Sequence, residues 1–331
     1  MTDAGAAPPL LIVTSDEDDV PVGLTKDVPP IPFTMAWDAA GVGDALPDTE
    51  IVFLWTMRSP AFDALRDMWS SAGGLRWVHS CSAGVERLLF PQLVESDVVL
   101  TNSRGVYDLP MAEYAIGLML AAAKGLPETL ARQRDHDWRF RYTETLAGKQ
   151  LVVVGPGSIG RTVARAAAGL GMRVSAVGRS ARTDDADFDA VAGGDGLDAA
   201  LAGADYVVVT APLTDETRGM IGRSAIAAMR PTARLINLAR GAVVDQDALV
   251  DALRGGRVAG AGLDVFAEEP LDPSSPLWDM PNVIVSPHIS GDTDTSERDV
   301  VDLFLDNLRR WLAGEPLRNV VDKRLGFVTG Q

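Results

Sequence analysis

Cysteine is nearly absent from this chain of 331 residues: Cys81 stands alone, which excludes an intrachain disulfide and any multi-cysteine metal site. Histidine is scarce too. There are three, without the paired spacing of a zinc-binding helix, so no metal-based mechanism is expected. Nothing approaches the roughly 18 consecutive apolar residues that mark a membrane span. Basic side chains are in deficit, with 30 Lys and Arg against 46 Asp and Glu, and a net charge of -16 opposes contact with nucleic acid or an anionic membrane. Arg132, Arg134, Arg139 and Arg141 do cluster, but Asp135, Asp137 and Glu144 interleave with them. Met1 to Asp19 lacks a basic leader region and its apolar piece, Pro8 to Val13, is short. No signal peptide is expected, and a cytoplasmic protein follows.

What is present is ample apolar material, 47% of the chain, at a length that one core rarely serves. Short apolar runs alternate with amphipathic helical patterns in two sets, which predicts an α/β fold of two doubly wound parallel-sheet domains. The first set has strands at Leu10–Thr14, Ile51–Trp55, Trp77–His79 and Val98–Thr101. The second starts with an apolar helix, Met111–Ala123. Strands follow at Leu151–Val154, Val174–Val177, Tyr206–Thr210, Leu235–Leu238, Ala259–Leu263 and Val283–Ser286. A last helix, Glu297–Ala313, could extend the second unit or return to the first. Spacing alone does not choose.

The segment Gly155-Pro156-Gly157-Ser158-Ile159-Gly160 lies between the run Leu151–Val154 and an Ala-rich helical pattern from Arg161. That placement makes a common glycine pattern a dinucleotide site. The first glycine permits the turn, the second lets pyrophosphate approach the backbone, and the third lets helix and strand pack closely. N–H groups of Ser158 and Ile159 at the helix start would face phosphate. An acidic residue about 20 positions on usually binds the adenosine ribose. Here the second strand ends in Gly178-Arg179-Ser180, a guanidinium and a hydroxyl suited to a ribose 2′-phosphate. NADP is the preferred cofactor on this reading, with NAD the alternative. Asp184 and Asp185 come too late to serve the ribose unless their loop folds back.

Chemistry in an open α/β sheet lies outside the carboxyl ends of the strands, where Arg240, Glu269 and His288 each follow a strand. Together they suit reduction of a 2-keto acid. The guanidinium binds the carboxylate, imidazolium gives a proton as hydride arrives, and the carboxylate orients the ring. Singly, each has a plainer reading: Arg240 paired with Asp245, Glu269 a turn residue before Pro270, His288 a satisfied buried histidine. Three such residues in one half favour the catalytic reading.

At this point the chain resembles the D-isomer-specific 2-hydroxyacid dehydrogenases, which include glyoxylate/hydroxypyruvate reductases. The resemblance rests on Ser82-Ala83-Gly84-Val85, Asn102-Ser103-Arg104-Gly105-Val106, Pro212-Leu213-Thr214, Asn237 to Leu249, Gly262-Leu263-Asp264-Val265-Phe266 and Pro287-His288-Ile289. It implies that Arg240, Glu269 and His288 are catalytic, that Asp264 holds the nicotinamide carboxamide, and that N–H groups near Ala83 and Gly84, with Arg240, bind the substrate carboxylate. Gly155, Gly157, Ser158, Ile159, Gly160, Arg179, Ser180, Thr210 and Pro212 would line the cofactor, Thr210 standing where many relatives have histidine. It further implies a flavodoxin-like substrate-binding domain, 1–101 with 293–331, a Rossmann domain, 102–292, and a cleft between them. A homodimer through the nucleotide domain is implied as well, with Met111 to Trp138 as the exchanged arm. The alternative is a nucleotide-sensing, corepressor-like interaction protein on the same fold.

Overall fold

Strands form where apolar runs are continuous, because a parallel strand covered on both faces has no solvent side to keep polar. A computed structural model describes residues 7–21, 23–24 and 29–329, so the first six positions of the segment read above for a leader lie outside the described residues. The chain separates into two units, Met1–Val106 with Thr293–Gln331, and Tyr107–Asp292.

The first unit holds β1 (Leu10–Val13), β2 (Phe33–Ala36), β3 (Ile51–Leu54), β4 (Trp77–Ser80) and β5 (Val99–Asn102). All pair in parallel in the order β2-β1-β3-β4-β5, the doubly wound arrangement of flavodoxin-like sheets. β2 was not expected from the sequence. Its edge position leaves Phe33 and Thr34 exposed and Pro29, Pro30 and Pro32 precede it, so no apolar run announces it. The last helix, Ser296–Ala313, belongs to this unit. Phe304 stacks on Phe53 at 4.1 Å between ring centroids, and Trp311 Nε1 donates to Glu50 at 3.1 Å.

The division after Val106 falls later in the chain than the boundary at 101 that the resemblance implies. Hydrogen bonds explain the shift. Asn102 N–H donates to the Asn319 carbonyl at 3.3 Å, and Asn319 Nδ2 donates to the Arg104 carbonyl at 2.7 Å, holding the turn after β5 in the first unit.

The second unit holds β6 (Gln150–Val154), β7 (Arg173–Val177), β8 (Val191–Ala192), β9 (Tyr206–Val209), β10 (Arg234–Asn237), β11 (Gly260–Leu263) and β12 (Val283–Val285). Their order, β12-β11-β10-β9-β6-β7-β8, is that of a Rossmann sheet with one added edge strand. Chain direction across the sheet reverses between β6 and β9, and ligands of such sheets bind outside the carboxyl ends at that point. β8 escaped the sequence because two residues carry no periodic signal. The helix Asp108–Ala123 starts before the expected Met111, since Pro110 in a first turn forfeits no intrahelical bond. It packs on the helix Ser158–Gly169 through small buried side chains, including Ala112, Ala115 and Ala164. Among the described residues no helix is long and apolar enough to cross a membrane.

Candidate active site

The glycine loop leaves β6 through a turn that requires glycine at 155 and 160. Gly155 has φ 103°, and a Cβ there would lie 2.5 Å from the Ala211 nitrogen. At Gly160 a Cβ would meet the Gly155 carbonyl oxygen at 2.3 Å, so strand and helix touch backbone to backbone. Gly157 differs: a Cβ there would meet nothing within 4 Å, which leaves open space in front of the helix Ser158–Gly169. The first N–H groups of that helix have no intrahelical acceptor, and the residues present therefore fit a pyrophosphate.

Two residues expected at the cofactor are placed by specific bonds and a third by packing. Thr210 Oγ1 donates to the Gly155 carbonyl at 2.8 Å, bracing the glycine loop. Pro212 is exposed, and its carbonyl accepts the Thr217 hydroxyl at 2.6 Å. Ile159 packs partly buried against the core. Arg179 and Ser180 are exposed directly after Gly178 at the tip of β7. The loop beyond them does fold back, and what it delivers is an ion pair. Arg161 grips Asp185 through two contacts of 2.7 and 2.8 Å, and Arg182 Nε adds another at 2.7 Å. The Arg161 guanidinium, foremost among these, holds the Asp185 carboxyl well below the usual carboxylate range.

Arg240 sits in the turn after β10, a turn built by bonds that no pattern in the sequence announces. Asn237 is buried; its Nδ2 donates to the Arg240 carbonyl at 3.0 Å while its Oδ1 accepts Ala239 N–H at 3.1 Å. Next to it, a Cβ on Gly241 would fall 1.8 Å from the Phe266 carbonyl carbon, so the Arg240 turn rests on the backbone that leads to Glu269. Asp245, the plainer partner considered for Arg240, caps the helix Gln246–Arg254 by accepting Ala248 N–H at 3.0 Å.

Glu269 and His288 meet. His288 Nδ1 lies 2.8 Å from Glu269 Oε2, and Glu269 Oε1 accepts Phe266 N–H at 3.1 Å, which fixes the carboxylate plane. Both side chains are about one-third exposed, at 31% and 29%. His288 is thus not the buried histidine of the plainer reading. Its backbone is left-handed, φ 58°, at a cost of roughly 1–2 kcal/mol for a residue other than glycine.

Asp264 holds that strained turn. Its carbonyl accepts His288 N–H at 2.8 Å; Oδ1 accepts the Ser286 hydroxyl at 2.6 Å and Ile289 N–H at 3.0 Å; Oδ2 accepts Ser290 N–H at 2.9 Å. Burial at 0% exposure pulls the Asp264 carboxyl upward, but these donors, Ser286 first, outweigh it and leave the group below its ordinary value. The resemblance assigned Asp264 to the nicotinamide; the geometry adds that it anchors the histidine turn. Ser286 and Ser290 were not singled out from the sequence, although hydroxyls flanking a Pro-His pair were the available signal.

In the first unit, the turn after β4 carries Ala83 and Gly84. Asn102 Nδ2 donates to the Ala83 carbonyl at 2.6 Å, and the Ser82 hydroxyl donates to the Gly84 carbonyl. Both carbonyls are thereby occupied within the unit.

A nucleotide loop, a guanidinium turn and a histidine–carboxylate pair on one Rossmann sheet define a nicotinamide-dependent oxidoreductase, and comparison with known proteins agrees. Residues 116–290 match the model of the D-isomer specific 2-hydroxyacid dehydrogenase NAD binding domain. Glyoxylate/hydroxypyruvate reductase B of Pectobacterium carotovorum subsp. carotovorum (strain PC1) is 37% identical over 266 residues, 78% of this chain and 83% of that protein. Glyoxylate reductase of Korarchaeum cryptofilum is 33% identical over 267 residues, covering 78% and 80%. Among solved structures, an NADPH-dependent glyoxylate/hydroxypyruvate reductase from Sinorhizobium meliloti in complex with NADP and sulfate superposes with a TM-score of 0.85 at 28% identity, covering 97% of this chain and all of that one. A D-isomer specific 2-hydroxyacid dehydrogenase from Xanthobacter autotrophicus Py2, in complex with NADPH and MES, gives 0.82 at 31% over 97% of this chain and 100% of that one. The chain belongs to the D-isomer specific 2-hydroxyacid dehydrogenase family. It is an NAD(P)-dependent oxidoreductase acting on the CH–OH group of 2-hydroxy acids.

Proposed function

We propose that the protein reduces a small 2-keto acid such as glyoxylate or hydroxypyruvate, prefers NADPH, and uses His288 as the proton donor. The observation that carries this reading is the 2.8 Å pair between His288 Nδ1 and Glu269 Oε2 beside the Arg240 turn. With Nδ1–H donated to the carboxylate, Nε2 is the nitrogen that serves the substrate in this reading. A nicotinamide cofactor held at the Gly155–Gly160 loop would supply the hydride. Arg240 pairs with the substrate carboxylate. The His288 imidazolium passes its Nε2 proton to the ketone oxygen as charge develops there, while Glu269 offsets the ring's positive charge. In the reverse direction the neutral ring takes the hydroxyl proton. Asp264, by fixing the His288 turn, keeps Nε2 in place for both.

The preference for NADPH is supported by Gly178-Arg179-Ser180 at the tip of β7, which offers a guanidinium and a hydroxyl and no carboxylate. The names of the relatives, glyoxylate and hydroxypyruvate reductases, support the substrate class. A homodimer is supported by the segment after the helix Leu126–Arg134, where Trp138, Phe140 and Tyr142 are 100%, 79% and 92% exposed. The cytoplasmic setting expected from the composition is part of the same reading. The test is oxidation of NADPH and of NADH on glyoxylate, hydroxypyruvate, pyruvate and longer 2-keto acids. Turnover with NADPH on a short keto acid is expected. Tight NADPH binding with no turnover on any acid would instead favour a nucleotide sensor.

A further inference from the structure

The tip of β7 is where a dinucleotide fold places its ribose-binding carboxylate, and here that position is Gly178. The glycine is packed. A Cβ built on it would lie 3.0 Å from Cγ and 3.3 Å from Cδ of Pro156, and 3.5 Å from Cγ1 of Val191. Carbon atoms in unstrained contact stand about 3.5–4.0 Å apart. A side chain at 178 therefore has to displace the proline ring or the strand that carries it.

Neither partner has room to retreat. Gly178 N–H donates to the Ala192 carbonyl at 2.9 Å, and the preceding Val177 carbonyl accepts Gly155 N–H at 2.9 Å, so the strand tip is bonded on both sides. Pro156 lies between Gly155, whose backbone is pressed on Ala211, and Gly157, whose N–H donates to the Gly155 carbonyl at 2.8 Å. Its ring is closed on its own backbone with φ fixed near −65°, so it cannot swing aside as a flexible side chain would. The carboxylate that the following loop could have brought instead, Asp185, is held by Arg161 and Arg182 with its side chain 4% exposed.

We propose that Pro156 is a determinant of dinucleotide selectivity: by filling the space beside Gly178 it excludes a ribose-binding carboxylate from the tip of β7 and so disfavours NADH. This rests on the NADPH reading above and deepens it. Selectivity is then written in the glycine loop as well as in Arg179, and replacing Gly178 alone does not transfer it.

The experiment uses the whole chain as wild type, Gly178→Asp, Pro156→Ala/Gly178→Asp, Gly178→Ala and Pro156→Ala/Gly178→Ala. Dissociation constants for NADH and NADPH are read by quenching of intrinsic fluorescence, and the thermal midpoint is read without nucleotide. Gly178→Asp is expected to lower the thermal midpoint and to weaken NADPH while leaving NADH weak. Adding Pro156→Ala is expected to restore the midpoint and tighten NADH at least about ten-fold over Gly178→Asp, equivalent to about 1.4 kcal/mol. The alanine pair repeats the thermal comparison with the Cβ alone, which keeps the claim testable should the aspartate variant fold poorly. The proposal is overturned if Gly178→Asp binds NADH as tightly as the double variant, or if Gly178→Ala is as stable as wild type. Equal wild-type affinity for NADH and NADPH would remove the NADPH reading instead, because the comparison of single and double variants does not depend on it.

Discussion

Protonating His79 has to break a closed chain of hydrogen bonds inside the first unit, and the cost can be worked out. Trp77 Nε1–H donates to Thr101 Oγ1 at 2.8 Å, and the same hydroxyl pairs with His79 Nδ1 at 2.7 Å. Ser103 donates its hydroxyl to the Ser80 carbonyl at 2.9 Å and faces His79 Nε2 at 3.5 Å. A neutral ring with its proton on Nε2 fits these contacts, and the ring is enclosed edge-on or tilted by Phe53, Trp77 and Phe304 with no exposure. Burial lowers its pKa from 6.5 to about 3. An unfolded chain binds a proton at this histidine below about 6.5 that the folded chain refuses until about 3, so stability falls as pH drops through that window. The slope is about 1.4 kcal/mol per pH unit and the full effect roughly 5 kcal/mol, a large part of the stability of a typical domain. Urea unfolding at pH 7, 6, 5 and 4 should therefore show the stability difference between wild type and His79→Asn shrinking by about 1.4 kcal/mol per unit below pH 6. The ring resonance lost in that variant should stay unshifted down to pH 4 in the folded wild type. A stability difference independent of pH, or a resonance that titrates near 6, would mean that His79 is not held neutral in the folded chain.

Glu269→Gln keeps the size of the partner of His288 but removes its charge, so keto-acid reduction should slow by about 10²-fold while NADPH affinity changes little; an unchanged kcat would contradict the pairing. Gly241→Ala places a Cβ 1.8 Å from the Phe266 carbonyl carbon, so urea unfolding should show a loss of about 3 kcal/mol or more, with the Arg240 turn displaced. A soluble, fully stable Gly241→Ala variant would mean that the turn does not rest on Phe266.

Both sheets were legible because central parallel strands must be apolar on both faces. Leu151–Val154 and Tyr206–Val209 read as strands for that reason alone. Edges were not legible: β2 leaves half its residues in solvent, and β8 has only two. The candidate set Arg240, Glu269 and His288 could be named because each lies in a segment that follows an apolar strand of the second unit. Its supports could not. Asn237, Gly241 and Ser286 act through bonds or contacts to segments distant in the chain or to turns whose course the sequence does not reveal. Gly178 was read as the loss of a carboxylate. That a proline 22 positions earlier fills the space appears only when β6 and β7 lie side by side.

The central claim is that His288 moves the proton and takes no part in holding the nucleotide. The most direct test measures NADPH affinity and keto-acid turnover side by side in wild type and His288→Ala. Turnover is expected to fall by about 10²-fold or more with the NADPH dissociation constant within about two-fold of wild type. Loss of NADPH affinity in step with turnover, or turnover that survives, would contradict it.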